Sequence, residues 1–139
     1  MNSLENYLGR VLSADLGKLI LRVALGFLMI FHGYKKAMFG ITGIEALVVK
    51  SGFPAFLAYG VYLGEIIVPL LIIIGLYTRI SSLIFAVTMG FAIYLVHFSD
   101  LLQINDKTGG LVIELPLLYM LCAIALMFIG AGKYSIDKK

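Results

Sequence analysis

The chain is expected to fold as an all-α, polytopic membrane protein, an antiparallel four-transmembrane-helix bundle forming a single domain over residues 1–139. Three observations predict it. Of the 139 residues, 61% are hydrophobic and only 14% are charged. Mean hydropathy is +1.02, so the chain carries more apolar surface than one soluble domain of this size can bury. The charges also fall between apolar runs that are each close to the length of a bilayer crossing.

Each element follows from its residues. The opening MNSLENYLGRVLSADLGK mixes acids with apolar residues and lacks the basic-then-apolar order of a cleavable signal. It reads as a short amphipathic segment at the membrane surface. The first span, about residues 19–35, is centred on LRVALGFLMIFHGYKK, Leu21 to Lys36, which has basic groups at both ends of an apolar rod. Sixteen residues rise roughly 24 Å, slightly less than the ~30 Å hydrocarbon core, so snorkelling side chains reach both faces. Arg22 reads as such an anchor. Lys36 to Lys50 reads as a connection, and Gly52 and Pro54 punctuate it before a second span at about residues 56–77. Glu65 is the only charge in that span and falls near its middle. A connection of about four residues, Tyr77 to Ile80, makes spans two and three antiparallel neighbours. The third span, about residues 80–98, has no formal charge and ends on His97. The polar loop SDLLQINDKTGG follows. The fourth span, about residues 114–130, begins near Glu114 and Pro116, proline being tolerated in a first helical turn. The tail GAGKYSIDKK is polar and basic.

Charge placement orients the bundle and narrows its partners. Net charge is +3, yet the basic residues form no cluster interleaved with aromatics, which argues against nucleic acid and for the lipid bilayer. Arg10, Lys18, Arg22, Arg79, Lys133, Lys138 and Lys139 share one side, against Lys35, Lys36, Lys50 and Lys107 on the other. The excess predicts a bacterial plasma (inner) membrane protein with both termini in the cytoplasm. The single Cys122 lies in an apolar run and reads as a small buried residue, so neither a disulfide nor a dithiol is expected.

The ionisable residues converge on one end. Alternating directions carry His32, Lys35, Lys36, His97, Glu114 and Glu65 into the same outer half. At 100° per residue, His32 and Lys36 lie about 40° apart on one helix face. Ala86, Gly90, Tyr94 and His97 form a stripe with small residues deep and polar tips outward, and Gly60 and Gly64 permit close helix approach beside Glu65. A mid-span carboxyl must pair with a cation or stay protonated, so Glu65 is the strongest functional candidate, with Lys36 or His32 as its expected partner. Lysines and histidines at span ends also serve as plain interfacial anchors. His32, His97, Glu65 and Glu114 are metal-capable residue types, but the Glu-x-x-His spacing of bundle metal sites is absent, so no metal is expected.

Leu21-Arg22 with Ala24-Leu25-Gly26, His32-Gly33 and Lys36 resembles the opening span of the DoxX family of small bacterial integral membrane proteins. The resemblance continues through Gly52-Phe53-Pro54, Leu57-Ala58, Glu65, Gly75-Leu76, Thr78-Arg79 and Gly109-Gly110 ahead of Glu114. The ending Gly130-Ala-Gly132-Lys-Tyr-Ser135-Ile-Asp137 is similar too, with Ala131 where proline is common. It implies a four-helix membrane bundle related to the membrane subunit of thiosulfate:quinone oxidoreductase.

Three functions are compatible with these residues. In a quinone-linked oxidoreductase subunit, Glu65, His32, His97 and Glu114 would handle protons, Tyr94 and Lys36 would contact the quinone, and Lys35 and Lys36 would attract a small anionic sulfur substrate. The sequence shows no flavin, haem or iron–sulfur ligand set, so electrons would come directly from substrate or from redox-enzyme partner subunits. The alternatives are a non-catalytic anchor for soluble redox enzymes, docking through Ser99 to Gly110 and the tail, and a small proton-coupled carrier. The sequence is also compatible with a homo-oligomer.

Overall fold

Ser13 sets the first long helix in motion: its Oγ accepts from Leu16 N at 3.3 Å, satisfying one of the donors a helix start leaves free. A computed structural model describes residues 2–138; Lys139, counted above in the charge balance, lies outside them. The described residues form helices and no β-strand, with a single bridge between Ile104 and Leu111. Helix α1 spans Ser3–Val11, α2 Ala14–Phe39 and α3 Thr42–Lys50. Helix α4 spans Ala55–Ile74, α5 Thr78–His97 with a 3₁₀ turn at Phe98–Asp100, and α6 Glu114–Ile129.

The segment between Lys36 and Lys50, expected as a connection, is mostly helical. Helix α2 runs on to Phe39 and stops at Gly40, whose φ is 83°. Ile44, Leu47 and Val48 then recur at helical spacing, and Val48 is fully buried. Burial of that stripe against Ala58 turns a nominal loop into α3.

Helix α4 is not a uniform rod. It opens as a 3₁₀ turn at Ala55–Tyr59 and widens to a π-turn at Leu63–Ile67. There Val68 N–H donates to Leu63 O, five residues back. Pro69 supplies the cause: it has no N–H, so the carbonyl of Glu65, four residues earlier, loses its regular α-helical donor. The chain relaxes into the wider turn around Glu65.

The pairwise registers are antiparallel. Along α2, Arg22 meets Ile72 and Ile73, Gly26 meets Pro69 and Ile73, and Gly33 meets Glu65 and Ile66, so numbers rise on α2 as they fall on α4. Arg79 reaches Met127 and Phe128 while Gly90 faces Met120, which sets α5 against α6 in the same sense. Leu25, Met29, Val68, Ile72, Phe85, Met89, Tyr119, Ala123 and Leu126 from these helices make the main core. Helices Ala55–Ile74 and Thr78–Asp100 are long and apolar enough to cross a membrane. Helix α2 has the length but carries Lys18, Arg22, Lys35 and Lys36, and α6 is 16 residues long.

Arg22 is not a snorkelling anchor. It is fully buried, donating through Nε to Ala131 O at 3.0 Å and through Nη1 to Ile72 O and Ile73 O at 3.2 and 2.7 Å. Its Nη2 donates to Tyr134 O. The guanidinium thus ties the free carbonyls at the end of α4 to the polypeptide beyond α6. That segment also places the Asp137 carboxylate on Tyr77 N and Thr78 N at 2.9 and 2.8 Å, capping α5.

Candidate functional site

Glu65 and Lys36 form the one ion pair between long helices among the described residues. The Lys36 ammonium lies 2.7 Å from Oε1 and 2.5 Å from Oε2 of Glu65. Glu65 is 4% exposed, whereas the Lys36 side chain is 30% exposed, so the carboxylate is interior and the ammonium reaches outward. Close packing holds both in place. A Cβ at Gly33 would collide with the Glu65 carbonyl, so the missing side chain lets α2 approach the π-turn one helical turn before Lys36. Tyr62 Oη donates to the Lys36 carbonyl at 3.3 Å, steadying the end of α2.

The pair lies on the wall of an apolar groove of about 660 Å³ between α4 and α5, with α3 across one end. Ile44 and Val48 come from α3, Ala58, Val61 and Leu63 from α4, and Ile84, Phe91 and Leu95 from α5. Its size falls within the range of roughly 300–1,000 Å³ that holds small molecules. Beyond Lys36 and Glu65, the polar side chain on the wall is Thr88, whose Oγ1 donates to Ile84 O at 2.9 Å. Gly64 packs directly on Thr88, as the close-approach expectation requires, whereas Gly60 has nothing within 4 Å of a built Cβ.

The other candidates stand apart from this pair. His32 is exposed, with its ring edge-on to Tyr119 at 6.1 Å. His97 Nδ1 faces Asp100 Oδ1 at 3.4 Å. Glu114 is exposed and lies over Gly110, and Lys35 is exposed. Tyr94 is also exposed, packs edge-on against Phe98 at 5.4 Å and does not line the groove. Among the described residues no three His, Cys, Asp or Glu side chains come together as metal ligands. The sequence reading missed Thr88 and the α3 residues. Val48 and Ile44 carried a helical spacing that could have found α3, and Pro69 four residues after Glu65 was the available sign of the π-turn.

Two apolar helices long enough to cross a membrane, in a chain this hydrophobic, fit a helical membrane protein. The chain belongs to the DoxX family, whose model matches residues 17–98. A Haemophilus influenzae protein described only as uncharacterized is 33% identical over 144 residues, covering all of this chain and 97% of that protein. A Bacillus subtilis protein named "Putative oxidoreductase CatD" is 31% identical over 125 residues, covering 90% of this chain and 87% of its own. No solved structure matches the chain significantly.

Proposed function

We propose that this chain is the membrane subunit of a quinone-linked oxidoreductase, with the quinone ring held in the α4–α5 groove against Lys36 and Glu65. The observation that carries this reading is a buried ion pair on the wall of an otherwise apolar groove. Such a wall suits a flat apolar ring that bears two polar oxygens, and the third N–H of Lys36 Nζ fits a carbonyl acceptor, the Thr88 hydroxyl proton being committed to Ile84 O. The relative named as an oxidoreductase points the same way. Helices α2, α4, α5 and α6 each cross the bilayer, with Lys18 and Lys35 snorkelling from the two ends of α2, and the Arg22 end with both termini is cytoplasmic.

A bound quinone supplies a two-electron, two-proton acceptor. Glu65 Oε1 and Oε2 hold a proton position at the groove wall, and Lys36, hydrogen-bonded to both oxygens and partly exposed, links that position to outer water. His32, His97 and Glu114 exchange protons with the outer surface, and Lys35 adds to the positive field that draws a small anionic sulfur substrate. A partner redox subunit is the alternative electron source.

Turnover of purified protein with thiosulfate and a soluble quinone analogue tests this. Glu65→Gln should lower turnover by about 10²-fold or more while leaving the protein folded in detergent. His97→Ala should lower it as well, and full activity in that variant would remove His97 from the proton route. A wild-type protein inactive with either electron source, and retaining no quinone on purification, sinks the assignment.

A further inference from the structure

The end of the helix cluster opposite Lys36 holds a second concavity, of about 360 Å³, lined by Tyr77, Thr78, Arg79, Ile80, Gly130, Ala131 and Asp137. We propose that it binds the phosphodiester of a membrane phospholipid, with Arg79 and Thr78 on the phosphate and Tyr77 and Ile80 along the lipid's apolar part. This site is independent of the quinone reading.

Arg79 is exposed and commits one nitrogen, Nη1, to Met127 O at 2.7 Å and Phe128 O at 2.6 Å. That bond caps the end of α6 and fixes the guanidinium at the rim. Its Nε and Nη2 have no hydrogen-bond partner among the described residues. Two adjacent N–H donors in a rigid plane match a phosphate's oxygens. Thr78 gives the second, separate observation: it is 1% exposed, and its buried Oγ1 has no hydrogen-bond partner among the described residues. Buried hydroxyls are ordinarily satisfied, so an orphan at a pocket wall calls for a ligand or water there.

The surroundings favour a lipid over a free anion. Tyr77 and Ile80 are 66% and 60% exposed and flank Arg79. Tyr77 holds φ 49°, a left-handed conformation uncommon for a side-chain-bearing residue. A tyrosine ring beside an arginine at a helix end is the pairing that sits at headgroup depth. Lys133 and Lys138 are exposed on the same segment and add positive charge. Asp137 also lines the pocket, but both its oxygens accept from the first N–H groups of α5, and the helix dipole there offsets its charge.

The test uses the full chain, delipidated in detergent, titrated separately with dioleoylphosphatidylglycerol, dioleoylglycerol and inorganic phosphate. Retained lipid is read by native mass spectrometry and stabilisation by thermal unfolding. The phospholipid should be retained and should raise the unfolding midpoint, whereas dioleoylglycerol and inorganic phosphate should do neither. Arg79→Lys keeps one nitrogen for the α6 carbonyls and removes the paired donors, so it should fold normally and bind the phospholipid about tenfold more weakly. Thr78→Val should also weaken binding without lowering the lipid-free midpoint. Wild-type affinity in Arg79→Lys, or equal retention of dioleoylglycerol, overturns the proposal. Equal stabilisation by inorganic phosphate overturns the lipid assignment in favour of a soluble anion.

Discussion

Replacing Lys36 by Met leaves the Glu65 carboxylate 4% exposed with no cation beside it. Removing one partner of a buried pair costs about 3 kcal/mol or more, because the remaining charge is desolvated and uncompensated. The double change Lys36→Met with Glu65→Leu removes both charges and should recover most of that loss. Thermal unfolding in detergent should therefore rank wild type and the double variant above Lys36→Met, with turnover lost in both variants. If the double variant is no more stable than the single one, the pair is not what Lys36 contributes. The Glu65 pairing was legible in the sequence as a choice between Lys36 and His32, because a mid-helix acid has few ways to exist and few cations lie near it; the structure pairs it with Lys36. Arg22 was misread for the converse reason. A basic residue near a helix end looks the same in sequence whether it reaches headgroups or caps carbonyls; the partners that decide it, Ala131 and Tyr134, are more than a hundred positions away.

Helix α2 approaches α4 through two glycines seven residues apart, nearly two full turns, which puts them on one face. A Cβ at Gly26 would lie 2.6 Å from the Pro69 carbonyl and 2.5 Å from Ile73 Cγ1, and one at Gly33 would strike the Glu65 carbonyl. Gly17, on the same helix, has nothing within 4 Å. Gly26→Ala and Gly33→Ala should each destabilise by about 1–3 kcal/mol through overpacking against backbone. Gly17→Ala should be neutral or slightly stabilising through helix propensity. Unfolding midpoints of the three variants check this, and equal behaviour would mean the α2–α4 spacing is not set by these glycines. Gly33→Ala should also depress turnover more than Gly26→Ala, because it displaces the π-turn that carries Glu65. The long helices themselves were legible from uninterrupted apolar runs. Helix α3 was not, since a stripe as short as Ile44, Leu47 and Val48 is a weak signal until Val48 finds Ala58 to pack on.

At the scale of the whole molecule, both ends of the helix cluster are closed by polar groups, but in different ways. The Lys36 end uses a side-chain pair that leaves a groove open. The Arg22 end uses the chain beyond α6 as a tie: Ala131 O and Tyr134 O on Arg22, Lys133 N on Asp15 Oδ1 at 3.2 Å, Ile136 N on Ile74 O at 3.2 Å and Asp137 N on Gly75 O at 2.9 Å. These bonds join the starts of α2 and α5 to the ends of α4 and α6. A polar tail in a membrane protein reads from sequence as surface chain, because nothing local reveals that its carbonyls serve a buried guanidinium. Deleting residues 131–138 should therefore be severe: Arg22 loses two acceptors and α5 loses its Asp137 cap, at about 1.5–3 kcal/mol for each hydrogen bond to the charged group. Deleting residues 2–12 removes α1, which has no buried residue, and should leave the unfolding midpoint nearly unchanged. Arg22→Met in the tail-deleted chain should recover part of the loss, since an apolar side chain needs no acceptors where the guanidinium needs several. Unfolding midpoints of the three chains in detergent decide it: a tail-deleted protein as stable as wild type, or one that Arg22→Met destabilises further, would show that the tail is not what compensates Arg22.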